Sequence, residues 1–125
     1  PGCGLFLGGD NWPDGRALRD AGCEVAIATD ANPGSSMVTD LALCATMGAT
    51  QCGLSLEESL WGATRGGAKA MGLDDRGTLR PGERADFIVL ESRDWRSLLY
   101  QPACPPVNAV SSLGRWLFRD GQVAF

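Results

Sequence analysis

The chain has 125 residues, 44% of them hydrophobic and 21% charged, with a formal net charge of −4. That length and balance support one modest folded unit with a core and exclude a disordered polymer. The ten arginines are scattered and Lys69 is the only lysine, which argues against a nucleic-acid footprint. No apolar stretch approaches the roughly 20 residues that span a bilayer, so no membrane partner is expected.

The first predicted element is a short helix over residues 13–22, with Ala17, Leu18 and Ala21 as its apolar stripe and Gly22 just past its end. A nearly continuous apolar run, residues 25–29, follows at once. Such a run suits a parallel strand covered on both faces. Helix, short connection and buried strand are the rhythm of repeated βα units.

A second helix is expected over residues 37–52, ended by Gly53. Ser55-Leu56-Glu57-Glu58 then forms a capping box, and a third helix carries Leu56, Leu60, Ala63 and Ala70 or Met71 on one side. Gly62, Gly66 and Gly67 weaken that helix by up to about 1 kcal/mol each relative to alanine. They point to close packing against another element.

From Asp74 the texture changes to strands. Residues 77–90 read as two strands around a type II turn at Pro81-Gly82. Further strands are expected over 107–113 and 115–119, with a type I′ hairpin at Asp120-Gly121 leading into 122–125. Asp86 is expected to make a structural hydrogen bond, and the four tryptophans read as core or interface anchors.

The chemistry concentrates at the end of the apolar run. Asp30 falls at the C-terminal lip of the predicted strand, where α/β folds carry out their reactions. It can ligate a metal, shuttle a proton or cap the following turn. In the turn, Pro33 restricts Asn32 to extended backbone, and Gly34 allows close approach of a ligand. Ser35 and Ser36 add hydroxyls near a helix N-terminus, a place that can hold an oxyanion. The chain contains no histidine. Cys3, Cys23, Cys44, Cys52 and Cys104 are odd in number and without a CxxC pair. They read as buried thiols of a reducing, cytoplasmic compartment.

Ala28-Thr29-Asp30-Ala31-Asn32-Pro33-Gly34-Ser35-Ser36 resembles the signature after the eighth barrel strand of imidazolonepropionases, in the amidohydrolase superfamily. Leu56-Glu57-Glu58-Ser59-Leu60 and Ala63-Thr64-Arg65 resemble the family's helix after the barrel. Residues 73–90 are similar to its Gly-x-Leu-x-Pro-Gly-x-x-Ala-Asp segment. Gly66-Gly67-Ala68 departs from the more usual Asn-Ala-Ala.

The resemblance implies an α/β fold: the C-terminal part of a metal-dependent (β/α)8 barrel over residues 1–73, then strands of a small β-sandwich domain over 74–125. It implies hydrolysis of 4-imidazolone-5-propanoate to N-formimino-L-glutamate in histidine breakdown, with one zinc or iron ion. Asp30 then corresponds to the metal-binding, catalytic aspartate, and Asn32, Gly34 and Ser35 to substrate-contacting positions. A whole barrel needs about 250 residues, so this chain is expected to be a C-terminal piece, inactive alone and unable to hold the ion tightly by itself. The implied partner is a small-molecule substrate, and the full-length enzyme is a possible homodimer. Two rival readings remain: another cyclic amidohydrolase or deaminase, and a non-catalytic binding module.

Overall fold

Gly2 and Gly4 give the first residues a low helix propensity, yet they form helix α1 (Gly2–Leu7) in the computed structural model, which describes residues 1–124. Tertiary contact overrides the propensity. A Cβ on Gly2 would lie 2.5 Å from Ser36 Oγ, and one on Gly4 would lie 2.9 Å from the Trp12 ring. Helix α2 (Gly15–Asp20) follows, with the Asp14 carboxylate accepting from the Ala17 N–H. Its end is the expected glycine cap. Gly22 stands at φ +81° and donates to Arg19 O, while the Cys23 N–H returns to Leu18 O. These two bonds are the paired closure of a Schellman motif.

Residues 25–29 depart from expectation. Ile27 is buried and Val25 and Thr29 are half-buried, whereas Ala26 and Ala28 are exposed. The run is therefore covered on one face, not two. The physical reason is pairing: among the described residues its backbone makes one hydrogen bond, from the Ile27 N–H to Gly62 O at 2.9 Å. Among the described residues no neighbouring strand lies alongside it.

The covered face meets the helices. α3 (Leu41–Gln51) begins four residues later than predicted, because the Asp40 carboxylate accepts from the Ala42 and Leu43 N–H groups and fixes the start there. α4 (Leu56–Trp61) opens with the complete capping box between Ser55 and Glu58. Arg16 and Arg19 of α2 reach the same Glu58 carboxylate at 3.0 and 3.2 Å. The third predicted helix is not uniform. A π turn (Gly62–Gly66) separates α4 from α5 (Gly67–Ala70).

That turn lies where residues 25–27 approach most closely. A Cβ on Gly62 would be 3.1 Å from Ile27 Cγ1, and one on Gly66 would collide with Val25 O. Gly67 has only ordinary contact, 3.5 Å from Gly62 O, so two of the three glycines serve close packing. Ile27, Cys44, Met47 and Leu54 form the core, with Trp12, Val25, Val38, Leu43 and Ala63 against it.

The second half holds a four-stranded antiparallel sheet in the order β1 (Phe87–Leu90), β2 (Val107–Ser112), β3 (Arg115–Arg119), β4 (Gln122–Val123). The predicted strand over 77–80 does not form. The Pro81-Gly82 turn closes as expected, with the Glu83 N–H on Arg80 O and Gly82 at φ +91°. The segment before it is instead tied to the helices, where the Arg65 guanidinium donates to Arg76 O at 3.0 Å. β1 therefore takes β2 as partner, with Val89 opposite Ala109.

Asp120 and Gly121 both have positive φ, as a type I′ hairpin requires, and so do Leu113 and Gly114 between β2 and β3. Asp86 has the expected structural role: Oδ1 accepts from the Leu113 N–H at 2.7 Å and steadies that second turn. Phe125, the end of the expected last strand, lies outside the described residues. A short helix that the sequence did not announce, α6 (Ser97–Tyr100), joins the halves. Leu99 of α6 is buried, and its carbonyl accepts from Thr46 Oγ1 of α3 at 2.8 Å.

Candidate functional site

Asp30 ends the extended run with φ +50°, an uncommon value for a non-glycine residue. The reversal turns the chain out of the run at once, and the turn that follows is built around Asn32. Its Oδ1 accepts from the Gly34 and Ser35 N–H groups, each at 2.9 Å. Its Nδ2 donates to Asp30 O at 2.8 Å and lies 3.0 Å from Ser35 Oγ. A two-way backbone bridge between Asn32 and Ser36 closes the loop.

The loop is tight enough that a Cβ on Gly34 would lie 3.3 Å from Asn32 Oδ1. Asp30, Asn32, Gly34 and Ser35 are thus brought together in one loop. Within it the Asn32 amide organises the backbone, and the Asp30 carboxylate stays exposed.

One expectation about this loop fails. Ser35 and Ser36 do not sit at a helix N-terminus, because α3 starts at Leu41 and the Asp40 carboxylate already occupies its first N–H groups. Ser36 is buried instead, and its Oγ accepts from the Val38 N–H.

The residue that sequence reasoning missed is Cys3. Its thiol donates to Asp30 Oδ2 at 2.7 Å, lies 3.1 Å from Ser35 Oγ and accepts a long contact from Asn32 Nδ2 at 3.8 Å. Cys3 is half-buried, and Cys23 and Cys104 are exposed, so three of the five thiols depart from the expected burial. Cys44 and Cys52 are buried as expected, and desolvation pushes both thiols above their ordinary value. The flanking Gly2 and Gly4 were the available signal, since two glycines around one side chain mark close backbone contact.

The amidohydrolase family profile matches residues 8–103, more than half of the chain. The chain belongs to the amidohydrolase family. Among its relatives is an imidazolonepropionase of Deinococcus deserti, 47% identical over 114 residues, covering 91% of this chain and 28% of the relative. Another, from Cutibacterium acnes, is 41% identical over 109 residues, covering 87% of this chain and 28% of the relative. The chain thus spans a little over a quarter of these relatives' length.

Solved amidohydrolases share its fold. An N-isopropylammelide isopropylaminohydrolase of Burkholderia multivorans is 28% identical with a TM-score of 0.70, covering 90% of this chain and 30% of that one. An adenosine deaminase of Xanthomonas campestris with bound zinc superposes with a TM-score of 0.80 at 23% identity, covering 99% of this chain and 32% of that one. The fold class expected from the sequence, an α/β amidohydrolase, is the one these likenesses support. No helix among the described residues is long and apolar enough to cross a membrane.

The donor chemistry bears on a metal. Asp30 offers a hard carboxylate whose Oδ1 accepts no hydrogen bond among the described residues, which suits one coordination position of a zinc or iron ion. Among the described residues no three His, Cys, Asp or Glu side chains cluster closely enough to hold an ion. Among the described residues, Asp30 is chemically suited to offer such an ion one ligand.

Proposed function

We propose that the chain is the C-terminal portion of an imidazolonepropionase, which hydrolyses 4-imidazolone-5-propanoate to N-formimino-L-glutamate in histidine breakdown. The observation that carries the reading is the gathering of Asp30, Asn32, Gly34 and Ser35 in one exposed loop, in a chain 47% identical to an imidazolonepropionase. On this reading residues 1–73 are the terminal part of the barrel, and residues 25–29 are its last strand. Residues 74–125 belong to the small β-sandwich domain. The substrate is a small molecule, and the compartment is the cytoplasm.

Asp30 is the metal ligand in this proposal, its other ligands coming from polypeptide outside the chain. A zinc or iron ion would supply an acidified water and polarise the ring carbonyl. The oxygen of the Asp30 carboxylate that does not face the ion takes up one proton of the attacking water and later delivers it to the departing ring nitrogen. The oxygen of water ends on the carbonyl carbon, the ring C–N bond breaks and the nitrogen gains the proton. Asn32 holds the Gly34 and Ser35 backbone in the tight loop, and Gly34, with no side chain, lets that backbone come close to a planar ring. The Ser35 hydroxyl offers a polar contact to the ring edge.

A second reading, an aminohydrolase acting on an aminated heterocycle, is favoured by the likeness to the isopropylaminohydrolase. Product analysis by mass spectrometry on the enzyme carrying this segment separates them. A ring-opened product one water heavier than the imidazolone is expected. Release of an amine from an aminated ring, with the imidazolone untouched, would overturn the proposal in favour of the second reading.

A further inference from the structure

We propose that Cys3 is a positioning residue for Asp30, an inference that rests on the reading of Asp30 as a metal ligand. Three observations carry it. Among the described residues, the Cys3 thiol is the hydrogen-bond donor to the Asp30 carboxylate, at 2.7 Å to Oδ2. The same sulfur touches Ser35 Oγ at 3.1 Å and Asn32 Nδ2 at 3.8 Å, so it meets three of the four loop residues across some 30 positions of sequence.

The third is the packing on either side of it. Gly2 is buried against Ser36 Oγ and Thr29 O, and Gly4 lies against the Trp12 ring, each with no room for a Cβ. Two close backbone contacts thus fix the start of α1, and Cys3 is the one side chain between them. Its direction toward the loop follows from that packing.

Asp30 needs such a partner. Its φ of +50° is uncommon, its side chain is exposed, and no arginine or lysine pairs with it among the described residues. Free rotation of the carboxylate would have to be frozen each time an ion is bound, which weakens binding. A donor on Oδ2 selects one orientation in advance and leaves Oδ1 for the ion. Hydrogen-bond partners of ligating carboxylates commonly matter in this way. A thiol is a weak donor, so the expected effect is at the low end of the range for such partners.

The test uses the metal-loaded enzyme carrying this segment, with Cys3→Ala, Cys3→Ser and Asp30→Ala variants. The readouts are metal retained against a competing chelator, measured by elemental analysis, together with kcat and KM. Cys3→Ala should weaken metal retention about tenfold and lower kcat more than KM rises. Cys3→Ser, which keeps a donor at the same place, should restore both to within about twofold on the same scale. A purely structural role would lower the thermal midpoint and leave metal retention unchanged. If Cys3→Ala holds metal as the wild type does while Asp30→Ala loses it, the positioning role is overturned and the ligand assignment stands. If Asp30→Ala also keeps its metal, both fall.

Discussion

Residues 25–29 and the meander β1 to β4 are both extended chain, and they satisfy their backbones in opposite ways. The meander is closed on itself: each strand pairs with the next in sequence, through hairpin turns or the connection carrying α6. Residues 25–29 make one backbone bond among the described residues and face the helices through Val25, Ile27 and Thr29. An antiparallel hairpin can be completed by a few residues of local sequence, whereas a parallel strand depends on partners far away in the chain. The first half therefore holds its extended segment by side-chain packing and by the glycines that let α4 and the π turn come close. The second half holds its strands by ladders.

If that contrast is right, the most damaging small change is at the glycine contact. Gly66→Ala should cost about 3 kcal/mol of stability, because its methyl meets the Val25 carbonyl. Gly67→Ala one residue on should be neutral or gain up to about 1 kcal/mol from helix propensity. Urea midpoints of the two variants measure the difference, and similar midpoints would break the account of the π turn. A smaller loss, about 1 kcal/mol, is expected for Asp40→Ala, which removes the cap that sets the start of α3. The same denaturation experiment reads it, and an unchanged midpoint would deny the cap its role.

The sheet half should respond to acid instead. The Leu113 N–H, then the Arg84 guanidinium and the Ser112 hydroxyl, hold the Asp86 carboxyl below its ordinary value of 3.8. A carboxylate whose folded value is depressed contributes stability that is fully present above the unfolded value and is lost as pH falls through the folded one. Asp86→Asn should therefore lower the thermal midpoint modestly at neutral pH. It should also flatten the loss of stability below the ordinary carboxylate range. A variant whose midpoint tracks the wild type at every pH would remove Asp86 from the β2–β3 turn.

The two halves were unequally legible. Local rules carried through wherever neighbours in sequence decide the outcome: the glycine closure at Gly22, the Ser55–Glu58 box, the Pro81-Gly82 turn and the Asp120-Gly121 hairpin. They failed where a side chain intervenes, near or far in sequence. Residues 77–80 have the composition of a strand, but Arg65 ties the carbonyl just before them, that of Arg76, to the helices, and no ladder forms there among the described residues. Residues 37–40 have helical periodicity, but the Asp40 side chain competes for the first N–H groups and delays α3.

At the loop, the composition of Asp30-Ala31-Asn32-Pro33-Gly34-Ser35 was enough to mark a tight polar turn at the end of an apolar run. Periodicity, however, could not show that the Asn32 amide would spend its hydrogen bonds inside the turn. Nor could it find Cys3, because the contact depends on how α1 packs against Ser36 and Trp12. The same packing explains why an apolar, glycine-rich opening stretch becomes a helix at all.

The proposed ligation of a metal by the Asp30 carboxylate is the step on which the imidazolonepropionase reading turns. Its most direct measurement is the metal content of the enzyme carrying this segment, wild type against Asp30→Ala, by elemental analysis after exhaustive dialysis. About one zinc or iron is expected per wild-type active site, as mononuclear sites of this type hold, with its loss in the variant together with turnover of the imidazolone. A variant that keeps both its ion and its turnover would contradict it.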